Sequence, residues 1–176
     1  EHLIQKRKKG VIRVLILGDY IASATIELLQ LLERATHYIS ATITYTVKSH
    51  PNFIVNKEDF PLLRLEVTMD PLEEILHNYD ISYSSNMTSA AVDAYFSGLP
   101  SIIILDKIGL NFSPLRGQKN VHFVSAPDAL AELLQSVHRD VFNISSCNDF
   151  FFLDPALPRW QKMASSSFDI SDEKFN

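Results

Sequence analysis

The sequence predicts an α/β protein with a doubly wound, mainly parallel sheet and helices on both faces. Two patterns lead there. Short apolar or β-branched runs bounded by turn residues alternate with stretches whose apolar residues recur at helical spacing. Such alternation implies strand-helix-strand units with right-handed crossovers. In addition, 176 residues with 46% hydrophobic content suffice for one domain with a sizeable core.

Val11 to Leu17 is a buried-strand run that ends at Gly18-Asp19, a turn. Ser23 or Thr25 is the expected cap of the next helix, whose apolar face is Ile26, Leu28, Leu29, Leu31 and Leu32. Tyr38 to Val47, rich in Thr, Ile and Tyr, reads as the second strand and delivers Lys48-Ser49-His50-Pro51 at its end. Residues 52–61 read as a loop, and Leu63 to Met69 as the third strand. Asp70-Pro71 has cap and proline in the order that starts a helix, and Leu72, Ile75 and Leu76 mark its buried side. A strand then leads through Ser84 to a helix over Thr88–Leu99, which stops at Gly98-Leu99-Pro100. Ser101 to Leu105 is the fifth strand, 106–120 a polar loop, and Val121 to Val124 the sixth. Pro127-Asp128 opens a last helix with Ala129, Leu130, Leu133, Leu134 and Val137 at helical spacing.

The expected organisation is a basic linker over 1–10, the α/β domain over 11–140, an aromatic and helical extension over 141–164 and a disordered tail over 165–176. The extension carries Phe150-Phe151-Phe152-Leu153 and a short helical stretch, Arg159 to Met163.

Composition removes several function classes. A net charge of −5 argues against nucleic-acid binding by the whole surface. The basic run Lys6-Arg7-Lys8-Lys9 reads first as a solvated linker, with contact to a membrane surface as the minority reading. Cys147 is the only cysteine, so an intrachain disulfide and a cysteine-built zinc site are excluded. Three Asn-x-Ser/Thr sequons, at Asn86, Asn111 and Asn143, are short matches of the kind that arise by chance. No apolar run approaches the roughly 18 residues of a membrane span, and a cytoplasmic protein is expected. His37, His77, His122 and His138 share no metal-ligand spacing, and neither a P-loop nor a Gly-x-Ser-x-Gly elbow is present. The single glycine of Gly18-Asp19-Tyr20 is not a dinucleotide fingerprint.

The most informative stretch is Ser84 to Pro100. A strand-turn-helix unit of a parallel sheet puts the helix start at the carboxyl edge, where α/β proteins bind ligands. The hydroxyls of Ser85, Thr88 and Ser89 are candidates for a phosphate, and Asp93, one turn further, for a ribose diol. The plainer readings are an N-cap at Thr88 or Ser89 and a solvated acid at Asp93. His50 before Pro51 reads on its own as a loop histidine. Arg116 on the 106–120 loop could neutralise phosphate with its fork of donors.

Lys48 to Pro51, Pro71 to Leu76, Ser84 to Pro100 and Asn111 to Gly117 together resemble the C-terminal, nucleotide-sugar-binding half of GT-B glycosyltransferases. The likeness is to enzymes of bacterial surface and capsular carbohydrate synthesis and covers roughly Val11 to Gln135. Asp93-Ala94 stands where many members carry Glu-Ala, followed here by Gly98-Leu99-Pro100. The resemblance implies a Rossmann-like half of a GT-B fold and a CMP- or UDP-linked sugar donor (for hexosyl, sialyl or Kdo transfer). It implies no metal or other cofactor. His50, Ser85, Thr88, Ser89, Asp93 and Arg116 would bind the nucleotide and phosphates, while Gly18 and Asp19 would face the cleft between domains. It also implies an N-terminal acceptor domain outside this chain. The isolated chain is then expected to bind nucleotide without turnover, and the full-length protein to work at the inner face of the membrane. Two rivals are a nucleotide-sugar epimerase half of the same architecture and a stand-alone flavodoxin- or receiver-like module. For a receiver, Asp19 and Asp106-Lys107 give only a sketch of the acids and lysine required.

Overall fold

The computed structural model describes residues 10–105, 110–136, 158 and 161–163. The basic run at 6–9, Asp106-Lys107, His138, Phe150 to Leu153 and the tail from Ser165 lie outside the described residues; 158 and 161–163 are helical. The strands are β1 (Val11–Leu17), β2 (Thr42–Lys48), β3 (Glu66–Thr68), β4 (Ile81–Ser84), β5 (Ser101–Ile104) and β6 (Val121–Val124). The α-helices are α1 (Ala22–Ala35), α2 (Leu72–Ile75), α3 (Ala90–Phe96) and α4 (Pro127–Ser136).

All six strands form one parallel sheet in the order β3-β2-β1-β4-β5-β6. This is the doubly wound sheet expected from the sequence. The order also separates it from a flavodoxin-like module, in which the third strand lies beside the first. Here β3 pairs with β2, and β4 takes the place next to β1.

One face carries Val14, Ile16, Ile81, Tyr83, Ile102 and Val124, packed with Leu28, Leu29 and Leu32 of α1 and Leu130, Ala131 and Leu134 of α4. Tyr83 is fully buried there, and its hydroxyl donates to the Leu28 carbonyl at 3.1 Å, joining α1 to β4. Strand alternation sends Leu15, Leu17, Ser82 and Ser84 to the opposite face. There Ala91, Val92 and Ala94 of α3 are buried outside the first cluster. A helix thus covers each side of the β1–β4 pair. At the amino end of that pair, Arg13 N donates to the Asp80 carboxylate at 3.0 Å and Asp80 N to the Arg13 carbonyl at 2.8 Å.

Helix α3 ends on Gly98 at φ +82, a left-handed position that glycine takes without Cβ strain. Gly98 N donates to Tyr95 O and Leu99 N to Ala94 O, the paired bonds of a Schellman stop. The Gly98-Leu99-Pro100 reading is therefore structural, as expected.

Several local expectations change. The stretch 38–41 does not belong to β2; Tyr38 closes a 3-10 turn, Thr36–Tyr38, that continues α1. Thr36 Oγ1 bonds back to Glu33 O, a helical contact that outweighs β propensity. Neither Ser23 nor Thr25 caps α1. The helix begins after Ile21 without a side-chain cap, and Thr25 is buried within it. Asp70 does not cap α2 either, because its carboxylate accepts from the Thr68 hydroxyl at 2.9 Å and Pro71 holds the cap position. Among the described residues, no helix is long and apolar enough to cross a membrane.

Candidate functional site at the switch point of the sheet

In a sheet of this order, the strand order reverses between the parallel neighbours β1 and β4, and open α/β sheets bind ligands outside the carboxyl ends of the strands at such a point. The loop after β1 begins at Gly18. Its N–H donates to Lys48 O at 3.0 Å, drawing the end of β1 onto the end of β2. A Cβ at Gly18 would lie 3.0 Å from Lys48 O and 3.2 Å from His50 N, so any side chain there would press the end of β2 away. Asp19 follows and is only 1% exposed. Its N–H donates to Thr25 Oγ1 at 2.8 Å, which explains the buried threonine inside α1. Its Oδ1 accepts from Ile21 N at 3.0 Å and its Oδ2 from Ser85 Oγ at 2.5 Å.

That last bond joins residues 66 positions apart and ties the β1 loop to the β4 loop. At 2.5 Å it has the length of a charge-assisted O–H···O⁻ contact. Ser85 is buried as well, and its Oγ accepts weakly from Met87 N at 3.4 Å. Its proton is committed to Asp19, which leaves Ser85 no O–H to offer a ligand. Next to it, Ser84 Oγ is buried without a hydrogen-bond partner among the described residues, a costly state for a hydroxyl.

On the other side of β1, β2 ends at Lys48 and is followed by Ser49 and His50. Ser49 is buried; its N–H reaches Thr68 O at 3.2 Å and its Oγ accepts from Val55 N at 3.1 Å, fixing the loop. His50 Nδ1 accepts from Asn52 N at 3.1 Å. The neutral ring therefore carries its proton on Nε2, which is left as its donor. Tyr20, 56% exposed, stands edge-on to the His50 ring at a centroid distance of 6.4 Å.

The loop from β4 to α3 holds Thr88, half-buried, and Ser89, exposed. Ser89 occupies the cap position of α3, but its side chain makes no cap hydrogen bond. Asp93 is exposed in the first turn of this seven-residue helix. Asn86 Nδ2 donates to Leu110 O at 3.3 Å, which brings the start of the 110–120 segment to the same rim. Exposed Met87, Leu110 and Phe112 make this part of the rim apolar.

Gly18, Asp19, His50, Ser85, Thr88 and Ser89 are thus carried by three loops at one end of the sheet. Arg116 is exposed on a turn that leads to Asn120, whose carbonyl accepts from Ser101 N at the start of β5, and no bond joins it to these three loops among the described residues. The sequence offered Thr25 only as a helix cap, not as the partner of Asp19, and gave no signal for the Asp19–Ser85 bond. A hydroxyl six residues beyond Asp19 was the only available signal for the Thr25 contact. Among the described residues, no three His, Cys, Asp or Glu side chains are grouped so as to hold a metal ion. A separate cavity of about 560 Å³ lies between the 55–57 loop and β3, lined by Val55, Asn56, Lys57, Leu65, Glu66 and Val67.

No protein-family model and no curated protein matches the sequence. Among solved structures, the chain is similar to the glycosyltransferase SnogD from Streptomyces nogalater at a TM-score of 0.57 and 14% identity, covering 85% of this chain and 40% of that one. It is similar also to the glycotransferase of kitacinnamycin at a TM-score of 0.53 and 16% identity, covering 85% and 41%. The chain therefore spans about two fifths of the length of these structures. At such identities the likeness is one of fold: this chain has a Rossmann-like α/β fold also found in solved glycosyltransferases.

Proposed function

We propose that the chain is the donor-binding domain of a two-domain glycosyltransferase and holds a nucleotide sugar at the β1–β4 switch point. The observation that carries this reading is the convergence of the Gly18–Tyr20, Lys48–His50 and Ser85–Ser89 loops at that point. Its placement in a fold shared with solved glycosyltransferases supports it. The donor phosphates would lie against His50 Nε2–H and the hydroxyls of Thr88 and Ser89. Donors fixed there stabilise negative charge as it grows on the leaving phosphate. Asp93, exposed one turn further, would take the ribose diol. Arg116 is not needed in this arrangement.

A CMP- or UDP-linked donor and surface polysaccharide as the product rest on the likeness carried by the motifs at His50-Pro51 and Ser84–Pro100, and a cytoplasmic setting on the single cysteine, which suits a reducing compartment. The acceptor site and general base belong to the second domain of such an enzyme, so the isolated chain binds donor without transferring sugar. Calorimetric titration with CMP, UDP and GDP tests the reading. Binding of at least one is expected, with Asp93→Asn narrowing the preference for ribo- over deoxyribonucleotide. No heat from any of the three at about 1 mM would refute it.

A further inference from the structure

The buried Asp19–Ser85 pair has a consequence for how a ligand can lie in the crevice, granted the donor-site reading above. Asp19 is 1% exposed and Ser85 6%, so neither is a surface group that solvent shields. Among the described residues the carboxylate receives two donors, Ser85 Oγ–H on Oδ2 and Ile21 N–H on Oδ1, and both are neutral. Its negative charge is therefore dispersed but not cancelled. Ser85 adds no free proton above it, since that proton points to Asp19 and the same oxygen accepts from Met87 N. The floor of the switch point is in this way negative and acceptor-rich.

We infer that Asp19 sets the polarity of ligand binding. It repels phosphate from the crevice floor and selects a hydroxyl-bearing, uncharged part of the ligand for that place. The anionic part is displaced to the rim, where His50 Nε2–H and the Thr88 and Ser89 hydroxyls stand. A hydroxyl of the donor's sugar can donate into an acceptor-rich floor, whereas a phosphate can only accept. Asp19 acts here as a positioning residue, through Ser85 and through its field, without touching the ligand.

Asp19→Asn separates this role from a purely structural one. The amide keeps the shape and the acceptor for Ile21 N–H. Its Nδ2 donates to Ser85 Oγ, which frees the serine proton for the crevice. Removing one unit charge from beneath an anion held at the solvent-screened rim should tighten binding of the phosphate-bearing ligand by about three- to tenfold. Calorimetry of the 176-residue chain with UDP and with uridine (or CMP and cytidine) reads this directly. The expected result is tighter nucleotide binding by Asp19→Asn with nucleoside affinity within about twofold of wild type. Ser85→Ala is the second variant and decides alone if Asp19→Asn does not fold. It strips the carboxylate of its closest donor and should weaken the nucleotide but not the nucleoside. Parallel shifts for nucleotide and nucleoside, or no shift, overturn the inference while leaving the donor-site reading intact. A wild-type chain that binds neither ligand overturns both.

Discussion

Gly18→Ala isolates the close approach on which the geometry of the switch point depends. Gly18 does not adopt a positive φ, so glycine's left-handed freedom is not what the position uses. At such a site alanine ordinarily stabilises by about 0.4–1 kcal/mol, because it restricts the unfolded chain. Opposing this, the added methyl would stand 3.0 Å from Lys48 O, 3.2 Å from His50 N and 3.5 Å from Ser49 Cα. All three are backbone atoms, which cannot rotate aside. Relief requires the end of β2 to move, and overpacking of this kind costs about 1–3 kcal/mol. The second term wins, for a net loss of about 1–2 kcal/mol. In a protein of this size each kcal/mol lowers Tm by about 2–4 °C, so a fall of about 2–8 °C is expected in differential scanning calorimetry. His50 moves with its backbone, so nucleotide affinity should fall as well. An unchanged or raised Tm would show that β1 and β2 do not approach as described and would refute the reasoning.

Two further predictions concern stability. Burial pushes the Tyr45 phenol up to about 12 and raises those of Tyr83 and, first through burial, Tyr79. Because the folded values lie above the unfolded value near 10, these groups contribute stability that is complete below about pH 10 and declines as pH rises towards 12. Urea unfolding across that range should show the decline, with a shallower slope in Tyr83→Phe; a flat profile would contradict the burial of these rings. Ser84→Ala should raise stability, since an unpartnered buried hydroxyl costs about 1–3 kcal/mol. A destabilised Ser84→Ala would mean that the hydroxyl has a partner.

The six strands and four helices were legible because their signals are local: apolar runs such as Val11–Leu17, helical spacing in Leu28–Leu32, and glycine and proline at stops such as Gly98-Leu99-Pro100. Boundaries failed where a side chain was claimed by the tertiary structure. Thr25 looks like a cap but serves the Asp19 backbone, and Asp70 answers to Thr68. The Asp19–Ser85 bond could not be read from sequence, because it exists only once β4 lies beside β1. Ser85 was legible as a site residue but not its role, which depends on where its single proton points. Arg116 shows the converse limit: its loop starts at the carboxyl end of the sheet and returns to the amino end, and sequence position does not say where along it a residue lies.

The central claim is that the carboxyl-end crevice between β1 and β4 is the donor site. Chemical-shift mapping of the isotopically labelled chain during titration with CMP and UDP tests it most directly. The claim predicts saturable shifts centred on Gly18, Tyr20, His50, Met87 and Thr88, with Arg116 and the cavity lined by Val55 and Val67 unaffected. Saturable shifts confined to that cavity or to the amino end around Arg13 and Asp80 would contradict it, as would no shifts at all.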